Sequence, residues 1–131
     1  MIKLELHTHT DDDPADCITH STRALVDRAV TLGYGALAVT LHDRYFDPAP
    51  HAAYARERGL VLLPGIERTI GRSHILLINF PAVCKDVSSF DDIARLKRQF
   101  GGLVVAPHPF YPIPSALGRS LDRHVALFDA V

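Results

Sequence analysis

The chain has 131 residues and a formal charge of −1, a length that suits one domain able to bury a real core. The balanced charge gives no global basic field for nucleic acid, and no apolar run approaches membrane-spanning length. Cys17 and Cys84 form neither metal-type spacing nor a disulfide framework, and the N-terminus lacks a signal-peptide layout, so a reducing, cytoplasmic setting is expected.

In chain order, Ile2–Leu6 reads as a strand and Asp11-Asp12-Asp13-Pro14 as a solvated loop. Ser21 or Thr22 caps a helix running to about Leu32. Its Ala24, Leu25, Ala29 and Leu32 form one apolar stripe with Val26 and Val30 beside it, and Gly33 and Gly35 end it. Ala36–Thr40 is a short apolar strand, Ala49–Arg58 a helix closed by Gly59, and Leu60–Leu63 a strand stopped by Pro64-Gly65. Ser73–Asn79 is a buried strand. Asp91 or Asp92 opens a helix through Phe100, Gly101-Gly102 punctuates, and Leu103–Ala106 follows as the next strand. A Pro-rich loop leads to a weaker helical stretch around Leu117–His124, and Leu127-Phe128 with Ala130-Val131 begins one more strand. Strands apolar on both faces and alternating with helices predict parallel βα units. The fold class is therefore α/β, as one domain over 1–131 without repeat or linker.

Chemistry in such folds gathers where strands end and loops begin, and the histidines follow that rule. His7 and His9 come after the first strand, where period-two geometry turns both imidazoles to one side. Asp16 lies in the next loop, His42 at the tip of the second strand and Glu67 at the tip of the third. His74 opens the fourth strand and His108 ends the fifth. Imidazoles with carboxylates and no thiolate favour Zn²⁺, Mn²⁺ or Fe²⁺. His20, His51 and His124 fall on helices or helix edges and are read as structural, as is Cys17.

With these residues in this order the chain resembles the polymerase and histidinol phosphatase (PHP) family. The likeness rests on His7-Thr8-His9, Asp16 before the first helix, Thr40-Leu41-His42-Asp43, Pro64-Gly65-Ile66-Glu67, His74 and Ala106-Pro107-His108-Pro109. It spans essentially the whole chain; Leu41 stands where the family usually has Asp, which spares the histidine. The resemblance implies a distorted (β/α)7-type, TIM-like barrel with two to three divalent ions at its C-terminal rim. It assigns His7, His9 and Glu67 to a first ion, Glu67, His74 and His108 to a second, and Asp16 with His42 to a third. A late Asp-x-His pair of the family is missing after His108. Asp122-Arg123-His124 has the letters but sits in a predicted helix too early in the fold. A complete barrel takes about 200 residues or more, and about five to six βα units are present here. The chain is thus expected to be the N-terminal portion of the domain, with a further segment or a partner chain supplying that pair.

Clustered divalent ions suit phosphoester hydrolysis, because they lower the pKa of water and neutralise phosphoryl charge. The expected activity is a metal-dependent phosphoesterase or phosphatase, attacking with metal-bound hydroxide held by His7, His9, Glu67 and His108. Its substrate would be a small phosphomonoester or a nucleotide or oligonucleotide phosphate. No nucleophile elbow or phosphate loop is present. Arg44 and Arg119 are candidate grips on phosphate oxygens. Two alternatives stay open. One is an amidohydrolase-type metal hydrolase, which often bridges its ions with a carboxylated lysine, although Lys3, Lys85 and Lys97 occupy no such position. The other is a structural PHP module associated with nucleic-acid enzymes.

Overall fold

Ala36-Leu37-Ala38 is buried on both faces, as a central parallel strand must be, and it organises the first half of the protein. The structure is a computed structural model that describes residues 2–131. β1 (Leu4–Glu5), β2 (Ala36–Ala38) and β3 (Val61–Leu63) pair in parallel, in that order. The crossovers are α1 (Thr22–Thr31), capped by the Ser21 hydroxyl on the Ala24 N–H at 3.3 Å, and α2 (Ala49–Glu57). Val26 and Ala29 of α1 and Ala55 of α2 close over Leu37, Val39, Leu41 and Leu62, so the helical stripe and the strand faces share one core.

The second half departs from the parallel pattern. β4 (Gly65–Ile70), β5 (Ser73–Ile78) and β6 (Leu103–Val105) form an antiparallel sheet, covered by Ile93 and Leu96 of α3 (Phe90–Phe100). Ser89 caps α3, two to three residues earlier than the aspartates suggest, and Gly101 ends it in the left-handed region at φ 68°. Sequence reasoning missed β4 altogether. The third strand ends at Leu63, before Pro64, as expected, but Gly65 at once begins β4, and a parallel bridge between His42 and Glu67 continues the register of the β2–β3 pairs. Gly65 is required there: a Cβ would lie 2.7 Å from the Val39 carbonyl oxygen and 2.8 Å from Thr40 Cγ2.

β5 is the reversed strand because Gly71-Arg72 makes a two-residue hairpin loop, with Gly71 first and at φ 65°. The reversal decides where His74 lies. The start of β5, where His74 sits, lies at the same end as the C-termini of its neighbours.

The strands form two three-stranded sheets joined by the His42–Glu67 bridge, and no closed barrel exists among the described residues. The expected last strand is only an isolated parallel bridge from Ala130 to Val105. Val125–Leu127 turns as a 3-10 segment, and Leu127 and Phe128 are drawn into the apolar cluster beneath α3 instead of extending a ladder. The final helix, α4 (Ser120–His124), is shorter than the sequence pattern suggests. No helix among the described residues is long and apolar enough to cross a membrane.

Candidate metal centre

Glu67 is 1 % exposed, and its carboxylate stands at the centre of the histidine cluster. Oε2 lies 3.0 Å from His7 Nε2, 3.2 Å from His9 Nε2 and 3.5 Å from His42 Nε2. Oε1 lies 2.7 Å from His74 Nδ1 and 3.4 Å from His108 Nε2. The five imidazoles close a ring around it: successive centroids, from His7 to His9, His42, His74, His108 and back, are 4.6 to 5.8 Å apart.

Local backbone rules put each group there. The parallel register of β2 and β3 continues past the strand ends at the His42–Glu67 bridge, with the Glu67 N–H donating to the Leu41 carbonyl and the Asp43 N–H to the Glu67 carbonyl. That fixes His42 and Glu67 side by side. The hairpin register opposes Glu67 to Leu76 and Thr69 to His74, so His74 is a same-face diagonal neighbour of Glu67. The Glu5 carboxylate accepts the N–H groups of Leu6 and His7 where β1 ends. The His74 N–H donates to the Ser115 carbonyl, which ties the loop after His108 to β5. His108 itself has φ 36°, an uncommon conformation for a residue with a Cβ.

A second carboxylate belongs to the cluster, and it is not the expected one. Asp13, 8 % exposed, lies 2.6 Å from His9 Nδ1 and 3.1 Å from His42 Nδ1. Asp16 stays at the rim: its side chain is 52 % exposed and its nearest carboxylate oxygen is 3.9 Å from His42 Nδ1. The Asp11–Asp13 run is therefore not simply a solvated loop. Asp13-Pro14 starts a turn in which Asp13 Oδ1 accepts the N–H groups of Ala15 and Asp16, and that turn brings the carboxylate inward. The Asp-Pro dipeptide four residues after His9 was the available signal.

The electrostatics follow from the contacts. Burial opposes ionisation of Glu67, but hydrogen bonds from His7 and His9 and the nearby His7 and His74 charges outweigh it and hold the carboxyl far below the usual range. Asp13 is lowered against its own burial by His9 and by the backbone N–H groups of His42, Ala15 and Asp16. His9 loses charge stabilisation through burial, yet its hydrogen bonds to Glu67 and Asp13 prevail and raise its pKa.

Three overlapping groups have the donors for a cation: His7, Glu67 and His108; His9, Asp13 and His42; and His42, Glu67 and His74. Within each, the ligand atoms lie within 4.8 Å of one another. The fit rests on the donor set, ring nitrogens and carboxylate oxygens without sulfur; His108 turns Nε2 toward Glu67, and its buried Nδ1 has no partner. The cluster opens into a cleft of about 250 Å³ that Asp16, Ile113 and Ser115 also line. Neither expected arginine lines it. Arg44 donates to the Asp12 carbonyl at 2.9 Å and borders a separate cavity, while Arg119 is exposed just before α4. His20 Nε2 donates to the His9 carbonyl at 3.0 Å and so braces the loop; the His124 ring stacks on Phe90 with centroids 3.9 Å apart.

No sequence-family model matches the chain, and no curated protein matches it. Solved structures do. An amidohydrolase from Chromobacterium violaceum, solved with sulfate bound and no metal, superposes with a TM-score of 0.66 at 19 % identity, over 95 % of this chain and 72 % of that one. A two-domain protein from Bacteroides vulgatus, containing a predicted PHP-like metal-dependent phosphoesterase, gives 0.65 at 19 % identity, over 96 % of this chain and 40 % of that one. The chain is thus similar in fold to amidohydrolase and PHP-like proteins.

Proposed function

We propose that this protein is a metal-dependent hydrolase of phosphoesters, with Glu67 shared between two divalent ions. The observation that carries the reading is the ring of five imidazoles around one buried carboxylate. Five ring nitrogens and two carboxylates form a hard-to-borderline donor set without sulfur, suited to Mn²⁺, Zn²⁺ or Fe²⁺. His7 and His108 would hold one ion with Glu67, and His42 and His74 the other. His9 and Asp13, with His42, would hold a third or steady the first two. Such ions supply water of lowered pKa and neutralise phosphoryl charge.

The residues divide the remaining work. Asp13 takes the Nδ1 side of His9 and turns the opposite nitrogen toward Glu67. Ile113 adds an apolar side to the lining of the cleft, and Ser115, whose carbonyl accepts the His74 N–H, lies beside the cluster. A small phosphomonoester or a nucleotide phosphate suits the cleft. The sulfate reported for the Chromobacterium neighbour has the tetrahedral shape of a phosphoryl group.

An amidohydrolase reading draws on the same neighbour's description. Against it, no lysine lines the cleft: Lys3 reaches the Leu32 carbonyl and Lys97 pairs with Asp129. The deciding experiment is a panel of phosphomonoesters, phosphodiesters and amides assayed with the chelated and Mn²⁺-reconstituted protein. Mn²⁺-dependent phosphate release supports the proposal. Amide hydrolysis alone favours the rival, and binding of metal without turnover of either class favours a structural module.

A further inference from the structure

The geometry points to Asp43 as a positioning residue that fixes the shared carboxylate, an inference that rests on the metal reading above. Asp43 follows His42 and leaves the strand at φ 49°, in the left-handed region that residues with a Cβ avoid. What holds it there lies on both sides of Glu67. Its own N–H donates to the Glu67 carbonyl at 2.9 Å. Its carboxylate then reaches past Glu67: Oδ1 accepts the Thr69 N–H at 2.8 Å, and Oδ2 accepts the Thr69 hydroxyl at 2.7 Å. Arg68, between the two, pairs with Oδ1 and sends its Nε to the Val87 carbonyl at 2.9 Å.

The arrangement solves a problem that the ladder leaves open. The parallel pairing of the two segments ends at the His42–Glu67 bridge, so among the described residues β4 has no backbone partner on this edge beyond Glu67. The Asp43 side chain substitutes for the missing strand, giving Thr69 the acceptor that a continuing ladder would have given. Glu67 is thereby held by Leu41 from one side and by Asp43 around the other. A pinned backbone lets a carboxylate serve two ions without swinging toward either. Asp43 carries none of the ligand groups itself; its contribution passes through Glu67.

The test compares metal binding in the full chain for the wild type, Asp43→Gly, Asp43→Asn and Thr69→Val. Glycine suits the left-handed position, so Asp43→Gly removes the carboxylate while easing the backbone. Co²⁺ and Mn²⁺ titrations by calorimetry and by the visible Co²⁺ spectrum give the readout. Asp43→Gly is expected to lose about 10- to 100-fold in affinity, the range for partners that orient a ligand, with circular dichroism and Tm close to wild type. Asp43→Asn, which keeps the acceptor for Thr69, should recover most of the affinity and the wild-type Co²⁺ spectrum. Wild-type affinity in Asp43→Gly overturns the inference while leaving the metal reading intact. If that variant does not fold, Thr69→Val decides, because unchanged affinity there also overturns it. A wild-type protein that binds neither ion overturns both.

Discussion

The Asp13 carboxylate holds both the main chain and the ring of His42: Oδ2 accepts the His42 N–H at 2.9 Å and lies 3.1 Å from Nδ1. The same carboxylate meets His9 and closes its own turn through Ala15 and Asp16. Asp13→Ala should therefore destabilise the protein by about 2–4 kcal/mol, because several buried donors lose a charged acceptor together. Asp16→Ala, at the exposed rim, should change stability by less than about 0.5 kcal/mol. Urea unfolding of the two variants measures the difference, and equal effects would refute the assignment.

Glu67→Gln keeps the size of the side chain but removes the charge that two ions would share. Metal affinity should fall about a hundredfold or more, beyond what loss of an orienting partner costs. Elemental analysis after Mn²⁺ reconstitution, with the rate of phosphoester hydrolysis, gives the check. A variant that retains its full metal content would remove Glu67 from the centre of the site.

In the chelated protein, pH should act from both sides. Glu67 and Asp13 ionise below their ordinary values of 4.5 and 3.8, so their stabilisation is present above those values and lost as pH falls toward the lowered ones. His9 is raised above 6.5, so its stabilisation is complete below 6.5 and lost as pH rises through the raised value. A Tm maximum is expected between pH 4.5 and 6.5. A divalent ion needs neutral imidazole and should extend stability to higher pH. Thermal scans across pH, with and without Mn²⁺, test both limbs; a metal-free maximum in alkaline solution would contradict the first.

Gly65→Ala should be costly although the change is one methyl group. The added carbon would meet backbone and side-chain atoms under 3 Å away, so β4 must move off the chain carrying His42. A loss of about 1–3 kcal/mol is expected, accompanied by weaker metal binding. Wild-type Tm in this variant would show that the two segments can separate without strain.

The parts of the site that obey strand-end logic were legible in the sequence: His7, His9, His42 and His108 each follow an apolar run and a break. Glu67 was found for a wrong local reason. The apolar run that ends at Pro64-Gly65 points to it as the tip of the third strand, whereas it lies within β4, which begins at Gly65. The antiparallel pairing was signalled by Gly71-Arg72 between Ile70 and Ser73, a two-residue hairpin signature that the period-based reading passed over. Asp13 is one of three consecutive aspartates, and only the proline that follows it marks it as the one that a turn brings inward.

The reversed strand also sets an order of assembly in time. His74 is 7 residues from Glu67 along the chain, His108 is 41 away and His7 is 60. Closing the short hairpin costs about 2 kcal/mol less loop entropy than bringing His7 to the same carboxylate, and hairpins of this kind form within microseconds. Glu67 and His74 thus meet first, and the N-terminal pair, made earliest during synthesis, arrives last. A metal present during refolding would meet a half-built site long before the cluster is complete, and its effect on the folding rate would report which ligands were already in place.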